Sequence, residues 1–200
     1  MAETCAVVIL AAGASERLGE PKQLLPFRGS SLLSHAVSEA GNSYARLVVV
    51  VVGEKAERVS KEIDQNIARV VNNNEWHEGM ASSVRVGIKA VLEISPSVDA
   101  IILMPCDQPY VSASLLNELM ELQTKTGKAI VASDYGNAIG PPALFHKDIF
   151  PELMLLHGDT GARKIVEKHG DEVATVLFTR GNIDIDTKED YEALKILSSQ

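Results

Sequence analysis

Five stretches of the chain are apolar without alternation: Ala6–Ala12 (AVVILAA), Arg46–Val52 (RLVVVVV), Ala68–Val71 (ARVV), Asp99–Pro105 (DAIILMP) and Lys128–Ser133 (KAIVAS). A strand with one wet face alternates apolar and polar residues. An unbroken run rich in Val and Ile instead suits a strand covered on both faces, as in a parallel sheet between helices. Most of the runs are separated by segments with apolar residues three and four apart, which predicts helices over 31–40, 54–65, 82–93, 112–125, 161–169 and 188–197. Ser112 before ASLLNELMEL, and Thr187 before KEDYEALKIL with Asp190 in the first turn, are helix starts. Between 134 and 150 the rhythm breaks. Gly136, Gly140, Pro141 and Pro142 punctuate short extended pieces there, predicting a hairpin or lid-like excursion beside the site. The expected architecture is a three-layer α/β/α sandwich with a mostly parallel, Rossmann-like sheet and right-handed crossovers.

Composition narrows the picture. Two hundred residues suffice for one domain spanning 1–200. A formal charge of -8 argues against a nucleic-acid surface, so any anionic ligand must be held by local positive groups. Cys5 and Cys106 both lie in apolar runs and do not suggest a disulfide framework; a reducing, cytoplasmic location is expected. No apolar run is long enough for a membrane span, and the stretch from Cys5 to Ala12 is too short for a secretory signal and lacks its basic region.

The chemistry concentrates where the first strand ends. Ala11, Ala12, Gly13, Ala14 and Ser15 form a small-residue connection whose backbone N–H groups can approach phosphates. Arg17 and Lys22 follow, suited to the β- and γ-phosphates of a nucleoside triphosphate. By spacing alone, a tight turn with two solvated cations fits equally well. Neither a P-loop, G-x-x-x-x-G-K-[ST], nor the dinucleotide pattern G-x-G-x-x-G is present. Asp107 follows a strand-like run, the place where open α/β sheets put ligands, and Asp184 and Asp186 lie two apart in NIDIDT, on one face if extended. Each of the three can bind Mg²⁺, which commonly takes one or two carboxylates plus phosphates and water. Cys106, with no basic neighbour in sequence, reads as packing. Ser82 and Ser83 stand at a helix start, where capping and nucleotide contact are equal alternatives. Trp76 either lines a pocket or fills a gap, His77 reads as a polar loop residue, and Asp159 and Gly158 form a turn.

LAAGASERLGEPKQLLPFRGSSLLSHAV resembles the L-A-A-G-x-S-x-R-M-G-x-x-K signature of the nucleotidyltransferases similar to molybdenum cofactor cytidylyltransferases, with Leu18 in place of Met. The likeness continues through NNNEWHEGMASSVRVGI, MPCDQPYV, GPPALF, HGDTGARKIV and IDIDTKEDYEAL. It implies the nucleotide-diphospho-sugar transferase type of α/β fold. It also implies nucleotide binding by Leu10, Ala11, Ala12, Gly13, Ala14, Lys22, Asn72, Gly79, Ser82, Ser83 and Asp107, catalysis by Arg17, Lys22 and Asp107, and Mg²⁺ on Asp107 and Asp186. The implied reaction is transfer of CMP from CTP to the phosphate of molybdenum-bearing molybdopterin, with release of pyrophosphate. A molybdenum hydroxylase or its maturation factor is an implied partner. Ala12, where related guanylyltransferases usually carry glycine, favours CTP over GTP. GPPALF and LHGDTGARKIV, with Arg163 and Lys164, suit the acceptor. Transfer from GTP, transfer to a sugar phosphate, and a non-catalytic delivery protein are the alternative readings.

Overall fold

A computed structural model describes residues 4–15 and 17–198. In chain order its elements are β1 (Cys5–Ala11), β2 (Pro26–Phe27), β3 (Ser30–Ser31), α1 (Leu32–Gly41), β4 (Leu47–Val52), α2 (Ala56–Val59), β5 (Arg69–Asn72), α3 (Met80–Ile94), β6 (Ala100–Pro105), α4 (Ala113–Thr126), β7 (Ile130–Asp134), β8 (Ile139–His146), α5 (Phe150–Leu153), α6 (Arg163–His169), β9 (Val173–Leu177) and α7 (Lys188–Ser198). Seven strands form one sheet in the order β5-β4-β1-β6-β8-β7-β9, while β2 and β3 make a small separate hairpin. All neighbours in the large sheet are parallel except for the two pairs that involve β8.

The apolar runs are buried on both faces, as their lack of alternation requires. Along β1, Val7 and Ile9 pack with Leu33, Ala36 and Val37 of α1 and Leu115, Leu116 and Leu119 of α4. Ala6 and Val8 turn to the opposite layer, against Val84, Ile88 and Val91 of α3 and Ile165 and Val166 of α6. The close approach of α3 depends on Gly87, where a β-carbon would lie 2.4 Å from Val8 Cγ1.

Three expectations change. The 134–150 region does form a hairpin, β7 with β8, but β8 is no lid: it inserts between β6 and β7. Proline lacks an N–H for the sheet ladder, and here Pro141 and Pro142 fall in a bulge where the register jumps from Ala132↔Ala143 to Ser133↔Gly140. Ser133 Oγ donates to the Pro142 carbonyl across that bulge at 2.8 Å. The helix expected over 54–65 shrinks to α2 and one 3₁₀ turn (Ser60–Glu62), because an Asx turn at Asp64, accepting from Asn66 N, redirects the chain. The edge strand β9, which extends the sheet beyond β7, has no counterpart among the five expected runs.

Candidate active site

The site opens at the carboxyl ends of β1 and β6, adjacent parallel strands at the middle of the sheet. Beyond Ala11 the chain turns through Gly13 and Ser15, the latter left-handed at φ 58°. Ser15 O accepts from Leu18 N and Gly19 N, both at 3.1 Å, and Ser15 Oγ accepts from Lys22 N at 3.0 Å. Buried Gln23 completes the brace, its Nε2 donating to Ala11 O at 2.8 Å and Gly13 O at 3.0 Å. Those two carbonyls are thereby satisfied by one side chain.

A small hydrophobic cluster delivers the distant carboxylates. Leu18, Leu25, Phe27 and Leu32 bury Ile185 and Leu194. Ile185 N donates to Asp107 O at 3.1 Å, tying the two acidic segments together. Ile185 is fully buried, while the next residue, Asp186, is only half-buried and reaches Lys22 and Arg17. Asp190 accepts from Asp186 N and Thr187 N at 3.1 and 2.8 Å, capping α7 and fixing the turn behind Asp186.

Lys22 is the meeting point. Its Nζ donates to Asp107 Oδ2 and, at 2.8 Å, to Asp186 Oδ1, while Arg17 Nη2 reaches Asp186 Oδ2 at 2.8 Å. Burial by itself would lower the Lys22 pKa, but Asp107 and the hydrogen bonds to both carboxylates outweigh it, so the ammonium is held more firmly protonated than usual. Asp186 is held below the ordinary carboxylate range by its bond to Lys22, against the effect of burial. Burial first, and then the charge of Asp107, pushes Asp184 up to about 6. Burial and Asp107 push the Cys106 thiol up to about 12, so it stays a neutral packing group.

Leu10, Ala12, Gly13, Ala14, Lys22, Gly79, Ser83 and Asp107, together with Trp76, His77, Met80, Pro105 and Asp159, line a cavity of about 410 Å³. The structure therefore brings together eight of the expected residues. Arg17 and Asp186 join through Lys22 at its margin. Three expected contacts lie elsewhere. Ala11 is buried in the core behind the turn. Asn72 is exposed and bonds Asn74, whereas buried Asn73 donates to Ser82 Oγ at 2.8 Å and Ser83 Oγ at 3.0 Å. Ser82 is fully buried and donates to Gly79 O. Neither serine caps α3, which starts at Gly79 without a side-chain cap.

Gly79 is required here by its left-handed φ of 113° and by crowding: a β-carbon would sit 2.3 Å from Asp159 Oδ1 and 2.6 Å from Gly158 O. The two loops that meet there are clamped. Arg85 pairs through both terminal nitrogens with Glu78, at 2.9 and 2.5 Å, and donates to Leu156 O at 2.6 Å, while Ala81 N donates to Gly158 O. A second cavity, about 290 Å³, lies across this junction. Its walls are mainly apolar: Leu103 from β6, Pro141, Ala143 and Phe145 from β8, Ala162 and Val166, with Arg163 at the lining. Leu10, Met80, Pro105 and Asp159 border both cavities, making the two contiguous.

Gln23, Asn73 and Arg85 escaped the sequence reading. Gln23 directly follows Lys22, but a buried amide and an exposed one are spelled alike. Arg85 lies on α3 at a position that periodicity assigns to solvent.

Can the acidic pair hold a divalent cation? Among the described residues no group of three or more His, Cys, Asp or Glu side chains has metal-holding geometry. Asp107 and Asp186 nevertheless converge on one point, the Lys22 ammonium, and both offer hard oxygen donors. Two carboxylates completed by substrate phosphates fit magnesium or manganese.

The model of the MobA-like NTP transferase domain matches residues 7–173. Among curated proteins, the purine catabolism protein PucB of Bacillus subtilis (strain 168) is 31% identical over 200 residues, 94% of each chain. The nicotine blue oxidoreductase of Paenarthrobacter nicotinovorans is 31% identical over 78% of each chain. A probable molybdenum cofactor guanylyltransferase of Bacillus mycoides (strain KBAB4) is 26% identical over 98% of each. Among solved structures, the manganese complex of Rv0371c from Mycobacterium tuberculosis H37Rv superposes with a TM-score of 0.80 at 29% identity, covering 96% of this chain and 97% of that one. The chain belongs to the MobA-like NTP transferase family and has its α/β nucleotidyltransferase fold.

Proposed function

We propose that this MobA-like nucleotidyltransferase moves CMP from CTP to the terminal phosphate of molybdenum-bearing molybdopterin, releasing pyrophosphate. The observation that carries the reading is the convergence of Lys22, Asp107 and Asp186 beside the Gly13 turn, where a cavity bearing Lys22 and Asp107 meets a more apolar one. Triphosphate and acceptor would approach the junction from its two sides.

In that reaction an acceptor phosphate oxygen forms a bond to the α-phosphorus, the bond from the α-phosphorus to the bridging oxygen breaks, and pyrophosphate departs with the electron pair. A phosphate nucleophile is already ionised near neutral pH, so no general base is needed. The protein's task is to align two anions and offset their repulsion. Backbone N–H groups of the Gly13 turn face the triphosphate, Lys22 neutralises charge building on the leaving group, and Arg17 adds a mobile guanidinium at the rim. Asp107 and Asp186 would hold a Mg²⁺ ion, which supplies Lewis-acid polarisation of the phosphoryl oxygens when bound. Arg163, in the lining of the apolar cavity, offers a forked donor to the acceptor.

Ala12 supports CTP. Its Cβ and carbonyl abut Gly53, where an added β-carbon would lie 2.8 and 2.7 Å from them and 2.8 Å from Trp76 Cβ. The Ala12 methyl is therefore held in place beside Gly53, and the choice of CTP rests on alanine standing where related guanylyltransferases usually carry glycine. Molybdopterin as acceptor is supported by the molybdenum cofactor relative and by the apolar cavity, which suits a flat heterocyclic body behind a phosphate. Pyrophosphate release assayed with CTP, GTP, UTP and ATP, each with molybdenum-bearing molybdopterin or a sugar 1-phosphate, tests the proposal. CTP with molybdopterin is expected to give the highest kcat/KM. Preference for GTP would overturn the choice of base, preference for the sugar phosphate the choice of acceptor, and no release from any pair would favour a delivery protein.

A further inference from the structure

A third cavity, about 350 Å³, shares no lining residue with the other two. Arg28, His35, Glu39, Tyr110, Ser112 and Arg180 are among the residues around it. Arg28 occupies the first turn position of the β2–β3 hairpin at φ 47°, followed by Gly29 at φ 81°. Such a turn favours Asn or Gly at that first position, and a long side chain there carries a backbone cost that points to a role for the side chain. Each arginine is steadied by an aromatic ring. The guanidinium carbon of Arg28 lies 5.1 Å from the centre of Phe27, and that of Arg180 lies 4.7 Å from the centre of Tyr110.

In a chain with 27 acidic and 19 basic side chains, a guanidinium normally finds a carboxylate. Among the described residues neither Arg28 nor Arg180 has one within ion-pair distance. Glu39 is the single carboxylate in the lining, and its Oε2 already accepts from Ala113 N at 2.8 Å. Two guanidinium groups lining one cavity, neither ion-paired to a carboxylate among the described residues, match the oxygens of a phosphate group.

We propose that this cavity binds a phosphate-bearing small molecule separate from the nucleotide under transfer, gripped between Arg28 and Arg180. The site has a path to the catalytic cluster. Arg180 adjoins Gly181, whose carbonyl accepts from Gln108 Nε2 at 2.8 Å, and the same segment runs on to Asp184 and Asp186.

Calorimetric titration in EDTA, with inorganic pyrophosphate and separately with ribose 5-phosphate, tests the site in the full chain. The two probes separate the reaction's own product from an unrelated phosphomonoester. The wild-type protein is expected to bind one more equivalent of at least one probe than the Arg28→Ala/Arg180→Ala variant does, or to bind it at least tenfold more tightly. Equal stoichiometry and affinity for both probes in both proteins would overturn the proposal. The wild-type protein also gives a direct reading free of any folding effect: the His35 imidazole resonance should move on titration, and a resonance that stays fixed at saturation overturns the site. These results are independent of the transferase assignment, because none of these residues lines either cavity of that site.

Discussion

The two cavities that meet at Leu10, Met80, Pro105 and Asp159 are built in opposite ways. The larger one is anchored on the connection from Leu10 to Lys22, where small residues expose the backbone, and distant segments add the carboxylates of Asp107 and Asp159. The apolar one has no such local origin. Its walls come from β6, β8 and α6, three separate elements between Leu103 and Val166, and its charged lining residues are Asp159 and Arg163. Electrostatics dominates the first and shape the second. Substitutions should accordingly separate turnover from acceptor affinity.

The sharpest separation is expected from Asp107→Ala. It removes one of the two carboxylates proposed to hold the metal and leaves the apolar walls intact, so metal-dependent pyrophosphate release should fall on the order of 10³-fold. Titration of the acceptor by calorimetry should change little; a large loss of acceptor binding would mean that the cavities are not separate in function. Lys22→Ala should lower kcat by about 10²-fold. It removes the shared partner of Asp107 and Asp186, so the melting temperature is the companion measurement.

The reverse pattern is expected from Ala162→Leu, which places added volume at the apolar wall. Steady-state kinetics should show the acceptor KM rising by roughly tenfold or more, since leucine adds three carbons to the wall, with the nucleotide KM constant. Arg85→Ala attacks the junction itself. Because Arg85 holds Glu78 and the Leu156 carbonyl together, both KM values should rise together, by roughly three- to tenfold, and kcat should change less. A change confined to one substrate would break the view that the clamp serves both sides.

The smallest effect belongs to a pair remote from both cavities. Asp99 accepts from Lys147 Nζ at 2.9 Å and from Thr4 N at 3.0 Å, and these bonds, Lys147 first, depress its carboxyl from the ordinary 3.8 to about 2. A depressed folded-state pKa stabilises the protein above the unfolded value. That contribution is complete above about pH 4 and is lost as the pH falls toward 2. Asp99→Asn should thus lower the melting temperature at neutral pH, by an amount equivalent to less than about 1 kcal/mol for so open a pair, and the deficit should vanish near pH 2. Transfer activity should be unaffected.

The contrast between the cavities is also a contrast in what could be read in advance. Gly13, Lys22 and Asp107 announce themselves, the first two by a motif within thirteen residues of Leu10 and the third by ending an apolar strand. Asn72 was expected at the nucleotide and Asn73 was not, although it is Asn73 that is buried against Ser82 and Ser83. Neighbours in an extended segment face opposite ways, so a one-residue difference of register exchanges inside for outside. Capping and nucleotide contact were equal alternatives for Ser82, but α3 starts two residues earlier than expected and carries it into the interior.

By itself, the sequence determined the two-sided burial of the sheet, the helix faces and the small-residue turn with its cations. Each of these is a property of residues close along the chain, governed by periodicity and local backbone freedom. Only the tertiary structure decided that β8 would run antiparallel through the sheet, that Ile185 would be buried under Leu18 while Asp186 reached Lys22, and that Arg85 would join two loops. Those outcomes depend on contacts between residues up to 169 positions apart, as in the Arg17–Asp186 pair. No local pattern encodes such contacts, since their free energy is gained only when the layers have packed.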